Sequence, residues 1–413
     1  MLRLSAPWLL PIAGPAIADG AVLLDEAGRI VAVGPNGSVP RTEQMEQHDL
    51  LGAALLPGFV NTHTHLELTG FAGLVEDEDF WSWIKHLIAL KATRSDDAFF
   101  AAAEQGIRDC WRGGVTTICD TGSTGQVIAA LASVGGSGVA HHEVFGPDPD
   151  DCGPAMIRFG ADLERLGRFA TGRVQLGVSP HAPYTVSGPL YRAAAELARA
   201  QGLPIAVHVA EPPAESALLA DFSGTFADSW RARGIARPTA SPISPIAWLE
   251  EHGVLSPGTL CIHVINVSDA DADLMRRHDC AVAHCPRSNR RHHQLGAPMQ
   301  RYLDRGLRIG LGTDSVVSVA PLDLLAEARA AQRLTGWNAS SALRALTLGG
   351  AEALGLEPEI GSLEVGKWGD LTAIRLPAGG DPEAGVLASS LADVSATWLA
   401  GRAVHLAGEP RQP

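Results

Sequence analysis

The sequence predicts an α/β protein: a distorted (β/α)8 barrel of the TIM type with a small β-sandwich formed from both termini. Three observations predict it. Eight short apolar or β-branched runs follow one another through the middle of the chain, and Ala/Leu/Arg-rich segments of helical texture separate most of them. Eight such units over roughly 260–300 residues fit a closed barrel. Strand-like texture without helices then marks both ends of the 413-residue chain, so the ends can pair with each other.

The elements follow in order. The first twenty residues imitate a secretory leader, with one Arg, an apolar stretch and Ala-Ile-Ala before Asp19. Pro7, Pro11 and Pro15 break any helix there. Ala21–Leu24, the turn 25–29 and Ile30–Val33 read instead as a β-hairpin. The barrel strands are expected at Leu55–Asn61, Val115–Cys119, Val139–Phe145, Val174–Ser179, Pro204–His208, Leu260–Val264, Ala281–His284 and Leu307–Gly312. Two connections are long, Gly70–Arg112 and Pro212–Glu251. At the C-terminal face of a barrel such segments shape the pocket. Ser340–Leu354 reads as an amphipathic helix, and strands return at Asp370–Arg375, Val394–Leu399 and Arg402–Leu406. The expected division is residues 1–56 with 361–413 as the composite sandwich, and 57–360 as the catalytic barrel.

Composition narrows the function. Hydrophobic residues at 46% and charged residues at 19% exclude a mainly disordered chain. A formal charge of −14 without a basic tract argues against nucleic acid or an anionic membrane as partner and leaves a small-molecule substrate. No apolar run reaches the length of a membrane span. Six cysteines without regular spacing read as reduced thiols, hence a cytoplasmic protein.

Polar residues fall at the strand ends in an ordered way. The first barrel strand ends Asn61-Thr62-His63-Thr64-His65. Residues i and i+2 of a strand point to one side, so His63 and His65 can present two imidazoles to one metal. The fifth strand ends His208-Val209-Ala210-Glu211, the sixth carries His263, and the eighth ends Gly312-Thr313-Asp314-Ser315. Three neutral imidazoles and a carboxylate suit Zn²⁺ or Fe²⁺ with a position left for water. A lone H-x-H is weak evidence, but coincidence at strands one, five, six and eight is not.

Other patterns are decoys. G-S-L-E-V-G-K (361–367) lacks the Ser/Thr of a P-loop, since Trp368 follows. No G-x-S-x-G or H-E-x-x-H occurs, and Cys285 stands alone in H-C-P. His141-His142-Glu143 reads as packing or support, and His292-His293 as a loop pair near the entrance.

At these residues the sequence resembles the amidohydrolase superfamily, in its cytosine-deaminase/chlorohydrolase-like branch. The matching words are P-G-F-V-N-T-H-T-H (57–65), S-P-H-A-P-Y-T (179–185), H-V-A-E (208–211), H-C-P-R-S-N (284–289), G-L-G-T-D-S (310–315) and G-S-L-E-V-G-K-W-G-D-L (361–371). The resemblance implies one divalent metal per subunit, held by His63, His65, His208 and Asp314. It implies that His263 holds and helps deprotonate the metal-bound water, that Glu211 shuttles a proton to the substrate ring, and that a homodimer forms. Two-metal relatives use a modified lysine at the end of strand four; His181 stands in that region here, so one metal and a substrate contact are expected. Hydroxide then attacks C6 of a 6-aminopurine, Asp314 passes a second proton to the amine, and ammonia leaves.

The segments E-L-T-G-F-A-G (67–73) and F-W-S-W-I-K-H-L-I (80–88) are similar to those of 6-amino-6-deoxyfutalosine deaminases of menaquinone biosynthesis, and S-P-I-S-P-I-A-W-L (241–249) looks like the purine-nucleoside deaminases. Trp81 and Ser315 are expected beside Glu211 and His181 as substrate contacts, although Phe80, Trp81 and Trp83 also suit a helix core face. Adenosine, S-adenosylhomocysteine or methylthioadenosine, guanine- or cytosine-type bases, chlorinated rings and cyclic amides remain as alternative substrates. A scaffold without metal is the non-enzymatic alternative.

Overall fold

The computed structural model describes residues 1–76 and 79–408. Two residues of the strand-one insertion, 77 and 78, and the last five of the expected sandwich, 409–413, lie outside the described residues. The strands are β1 (Leu2–Leu9), β2 (Ile17–Leu24), β3 (Ile30–Pro35), β4 (Glu46–Asp49), β5 (Ala53–Pro57), β6 (Phe59–Thr64), β7 (Val115–Gly122), β8 (Gly138–Val144), β9 (Val174–Pro180), β10 (Ala206–Val209), β11 (Leu260–His263), β12 (Ala281–His284), β13 (Arg308–Leu311), β14 (Leu371–Arg375), β15 (Val394–Leu399) and β16 (Arg402–Leu406).

The strands β6 to β13 form the barrel. They pair in two parallel four-stranded sheets, β6-β7-β8-β9 and β10-β11-β12-β13. The sheets meet on both sides. Val178 of β9 bridges Ile205 in parallel just before β10. The amides of Thr313 and Asp314, after β13, both donate to the carbonyl of His63 in β6 at 3.0 Å. Gly312 has no room for a side chain at that closure, because a Cβ would lie 2.8 Å from the His63 nitrogen. Both faces of these strands are buried, so they read as continuous apolar runs rather than alternating ones.

Two expected elements divide. The run Leu55–Asn61 is not one strand: β5 ends at Pro57 and β6 begins at Phe59. Gly58 makes the passage between them. Its amide donates to the Asp370 carbonyl at 2.9 Å, and a Cβ there would lie 2.2 Å from Thr116 Oγ1. The apolar pattern is continuous across a change of sheet, and only the Pro-Gly pair marks it. Likewise Ser340–Leu354 is two helices, Ala339–Leu346 and Leu348–Leu354, broken at Thr347 with φ −123 and ψ −97. The break seats Gly350 against Val60 of β6, where a Cβ would come within 2.9 Å of the Val60 Cβ.

The remaining strands join both chain ends in one hydrogen-bonded network, ordered β16-β15-β14-β5-β1-β2-β3. Strand β1, the segment that imitates a leader, pairs with β4 through Leu2–Ser5 and with β5 through Trp8 and Leu9. The network folds over on itself. Gly28, in the β2–β3 turn, accepts from the Gly369 amide at 2.7 Å and lies against Ala400 in the β15–β16 turn. Leu4, Leu24, Leu55, Leu371 and Trp398 fill the space enclosed. No helix among the described residues is long and apolar enough to cross a membrane.

One buried ion pair fastens this unit to the barrel. Arg173, ahead of β9, donates to both carboxylate oxygens of Asp370 at 2.7 and 2.5 Å. Asp370 also accepts from the Ala400 amide at 2.9 Å. Removing one member of such a pair leaves an unmatched buried charge. Asp370→Ala is expected to cost about 3 kcal/mol in urea unfolding while zinc content stays unchanged. Equal stability of variant and parent would disprove the fastening role.

Candidate metal and catalytic site

The C-terminal ends of β6, β10, β11 and β13 converge on one point. His63 is the fifth residue of β6, and His65 follows its end. Their rings lie 4.7 Å apart, and the His208 ring of β10 lies 4.9 Å from His63 and 5.3 Å from His65. Asp314 follows β13 in a left-handed conformation, φ 56, and its Oδ1 stands 3.8 Å from His63 Nε2 and 3.6 Å from His65 Nε2. Ligand atoms of His63, His65 and His208 all fall within 4.8 Å of one another.

The fit to a divalent ion can be judged from the donors. Both ring nitrogens of the fully buried His63 lack a hydrogen-bond partner. Leaving them so costs free energy unless another group engages a lone pair. His65 Nδ1 lies 2.8 Å from the Thr121 carbonyl, which can only accept, so its proton sits on Nδ1 and Nε2 is free to ligate. His208 Nδ1 similarly faces the His181 carbonyl at 3.3 Å. Burial, then the charges of neighbouring imidazoles, lowers the pKa of His63 and of His208. Burial also lowers that of His65, against the pull of Asp314. Neutral imidazoles with free Nε2 atoms plus one carboxylate are a ligand set for Zn²⁺ or a similar ion. A second set, Glu143, His181 and His208, overlaps it. Because His208 has only one nitrogen uncommitted, the two sets compete for it, and one ion is the simpler occupancy.

Around this cluster stand the groups that can move protons. His263 ends β11 with φ 70. Its Nδ1 lies 2.9 Å from Asn289 Oδ1, an acceptor, so Nδ1 bears a proton, and Nε2 faces Glu211 Oε1 at 3.8 Å. Glu211 Oε1 also receives a hydrogen bond from His293 Nε2 at 3.0 Å. Burial raises the Glu211 pKa, but His263 and the bond and charge of His293 outweigh it and hold the carboxyl down, to about 2. Glu211 therefore rests as a carboxylate ready to accept a proton. His181 Nδ1 donates to Thr185 Oγ1 at 2.8 Å, leaving Nε2 as an acceptor. Burial lowers its pKa to about 3, so it stays neutral.

His65, His181, His208, Glu211, His263 and Asp314 line a pocket of about 210 Å³ that also holds Ser315. Its far wall comes from the long first connection: Phe80, Trp83, Ile84, Leu87, Ile88 and Lys91. Trp81, expected as a stacking contact, does not line this pocket. It faces an adjoining cavity, because the helix Phe80–Lys91 turns positions 80, 83 and 84 inward together.

Several site residues escape the sequence reading. Glu143, expected as packing, lines the pocket with Oε1 buried and unpartnered. Burial pushes its pKa up to about 8. Strand alternation separates it from His142, which turns outward to Asp162 at 3.6 Å. His292 and His293 are not in a loop but in the last turn of the helix Pro286–His293, and both face the site. The same helix supplies Ser288, whose hydroxyl donates to Asp314 Oδ2, and Asn289. Glu215 accepts from the amides of Ala210 at 2.8 Å and Glu211 at 3.1 Å, fixing the backbone that carries the Glu211 carboxylate. Lys91 pairs with Glu67 at 2.5 Å beside the pocket. The S-N of the motif at 284–289 and the H-H-E of β8 were the available signals; nothing local tied Lys91 to Glu67.

Comparison with known proteins agrees with this geometry. The family model described as "Amidohydrolase family" matches residues 54–404. A 5-methylthioadenosine/S-adenosylhomocysteine deaminase of Desulforudis audaxviator is 30% identical over 381 residues, 89% of this chain and 84% of that protein. An aminodeoxyfutalosine deaminase of Deinococcus radiodurans is 30% identical, covering 81% of each. Among solved structures, an adenosine deaminase from Xanthomonas campestris with bound zinc superposes with a TM-score of 0.82 at 25% identity, over 97% of this chain and 92% of that one.

The ligand geometry sets a test. In zinc titrations, His63→Ala should take up no zinc. Ser288→Ala, which frees one Asp314 oxygen, should weaken zinc affinity by roughly 10–100-fold without unfolding the protein. Undiminished zinc binding by His63→Ala would place the ion elsewhere.

Proposed function

The chain belongs to the amidohydrolase family, and on that premise we propose that it is a metal-dependent deaminase of a 6-aminopurine nucleoside, with 6-amino-6-deoxyfutalosine as the substrate. The single observation that carries the reaction class is the position of Glu211. A buried carboxylate stands 3.8 Å from His263 at the rim of a three-imidazole cluster, inside a pocket with apolar walls. A ring nitrogen beside the reacting carbon needs a proton donor at that place.

The chemistry follows from these side chains. His63, His65, His208 and Asp314 would hold the ion, which supplies a lowered pKa for water at this position. His263 Nε2 accepts a hydrogen bond from the water and orients it. Glu211 takes a proton from the water and delivers it to N1 as the C6–O bond forms, so negative charge does not build up on the ring. Asp314 returns the second proton to the amine. The C6–N bond breaks, ammonia leaves, and a ring carbonyl remains. His181, with its acceptor nitrogen facing the pocket, orients the nucleoside, and Ser315 contacts it from the opposite strand end. Phe80, Trp83 and Leu87 exclude bulk water.

The choice of 6-amino-6-deoxyfutalosine is supported by the segments at 67–73 and 80–88 and by the Deinococcus radiodurans relative. S-adenosylhomocysteine or methylthioadenosine is the second reading, favoured by the equally similar Desulforudis audaxviator relative. The proposal includes a cytoplasmic homodimer acting on a small molecule, in keeping with six cysteines that all remain unpaired.

The test is ammonia release by the zinc-loaded protein from 6-amino-6-deoxyfutalosine, S-adenosylhomocysteine, methylthioadenosine, adenosine, guanine and cytosine. One 6-aminopurine nucleoside is expected to turn over efficiently, with kcat reduced about 1,000-fold in Glu211→Gln. No release from any of them would overturn the deaminase reading and favour a chlorinated ring or a cyclic amide.

A further inference from the structure

The catalytic pocket does not end at its aromatic wall. A second chamber of about 410 Å³ adjoins it and shares Ile84, Ile88, Phe145, Tyr184 and Thr185 with it. A series of ring contacts leads from one to the other. His208 of the metal cluster touches His181 at 4.8 Å, His181 meets Tyr184 edge-on at 5.9 Å, and Tyr184 stacks on Phe226 at 4.1 Å. Trp81 closes the far side edge-on to Phe226 at 5.6 Å. Trp230 fixes this wall by donating from Nε1 to the Tyr184 carbonyl at 3.0 Å.

The chamber carries a cation, the exposed Arg233, at its solvent edge. Arg233 lines it, follows the helix Gly224–Ala232, and makes no side-chain hydrogen bond or ion pair among the described residues. Ser229 and Asp151 also line the chamber, with Thr185 at the shared wall. Most other arginines of this acidic chain that sit beside the barrel are already engaged, as Arg173 and Arg287 are.

We propose that this second chamber is the site for the 5′ arm of the substrate, and that it selects a nucleoside whose arm has an apolar stem and a carboxylate end. The inference rests on the nucleoside reading above and extends it. A purine placed with C6 at the metal cluster must direct its sugar away from it, and the shared walls offer a continuous path. Aromatic faces at Tyr184, Phe226 and Trp81 suit a flat or sulfur-containing stem. Arg233 can receive the carboxylate through two parallel hydrogen bonds. A benzoate end and an amino-acid end share this chemistry. They differ at Asp151, which attracts the ammonium of an amino acid and gives a benzoate nothing.

Two measurements on the zinc-loaded protein test it. Calorimetry gives Kd for adenosine, methylthioadenosine, S-adenosylhomocysteine and 6-amino-6-deoxyfutalosine with Glu211→Gln, in which turnover is suppressed, and with Glu211→Gln carrying Arg233→Gln. Steady-state assays give kcat/KM for the same nucleosides with the parent and with Arg233→Gln. A carboxylate-ended nucleoside is expected to bind at least about 10-fold more tightly than adenosine, and Arg233→Gln to remove that advantage while leaving methylthioadenosine unchanged. Ser229→Trp, which fills the chamber, should weaken the armed nucleosides and spare adenosine. Preference for the benzoate or for the amino-acid end then identifies the source. Equal affinity for armed and unarmed nucleosides, or an equal effect of Arg233→Gln on all four, overturns the proposal. Absence of turnover alongside Arg233-dependent binding would defeat the deaminase reading and leave the chamber assignment standing.

Discussion

Three imidazoles are packed within about 5 Å of one another at the mouth of a barrel, and that crowding governs the rest of the structure. Buried so closely, they cannot all be protonated. Desolvation lowers the pKa of all three, and repulsion from neighbouring imidazoles adds to it at His63 and His208. Neutrality leaves a lone pair on each ring, and the surrounding carbonyls decide which nitrogen bears it. Thr121 and His181 each offer a carbonyl oxygen to an Nδ1, which turns Nε2 of His65 and His208 to the common centre. The proton inventory of the site is thus set by backbone atoms, and side-chain identity alone would not fix it.

The backbone is strained where the site is assembled. Ala210, His263, Val264 and Asp314 all take left-handed conformations, at about 1–3 kcal/mol each. Each is held by bonds that ordinary strand ends lack. Ala210 donates to Glu215, and its carbonyl accepts from Ile265 and Asn266 at 2.8 Å. Asp314 donates to His63, and Thr64 donates back to the Asp314 carbonyl at 3.2 Å. Asn61 spans the same closure, giving to Thr313 Oγ1 at 2.9 Å and accepting from the Thr313 amide at 3.1 Å. The turn out of each strand aims the functional side chain across the barrel mouth instead of along the strand. The same bonds that close the barrel therefore position the side chains of the cluster.

This explains which parts were legible in the sequence. Residues on strand ends were readable because strand periodicity and barrel topology together fix where they point: His63, His65, His208, His263 and Asp314 all converge as their spacing implies. Glu143 shared that advantage, yet its neighbours His141 and His142 blurred it, and only the alternation of β8 separates the inward carboxylate from the outward imidazole. Ser288, Asn289 and His293 sit on a helix that folds back over the mouth, and a one-dimensional pattern does not say which helix face returns. The Leu55–Asn61 run hid a change of sheet because burial on both sides erases alternation. Trp81 lines the adjoining chamber and not the pocket at the cluster, because a residue's distance from Trp83 in sequence says little about which of two cavities it faces.

The division has a consequence for specificity. Every group that handles protons or could hold the ion comes from a barrel strand end or from the helix that caps it. Much of the surface that could distinguish one nucleoside from another comes from the long connections at 70–112 and 212–251. Strand ends are locked by the hydrogen bonds that close the barrel, so their chemistry is constrained by the fold. Connection helices pack largely through apolar faces, as Trp81 and Phe226 do, and apolar contacts tolerate exchange of shape as long as volume is kept. One reaction can then serve substrates with different 5′ arms while the metal cluster stays unchanged. The reaction class is accordingly carried by a few residues that sequence spacing reveals. The substrate is carried by surfaces that exist only once two connections, far apart in sequence, have been folded against each other.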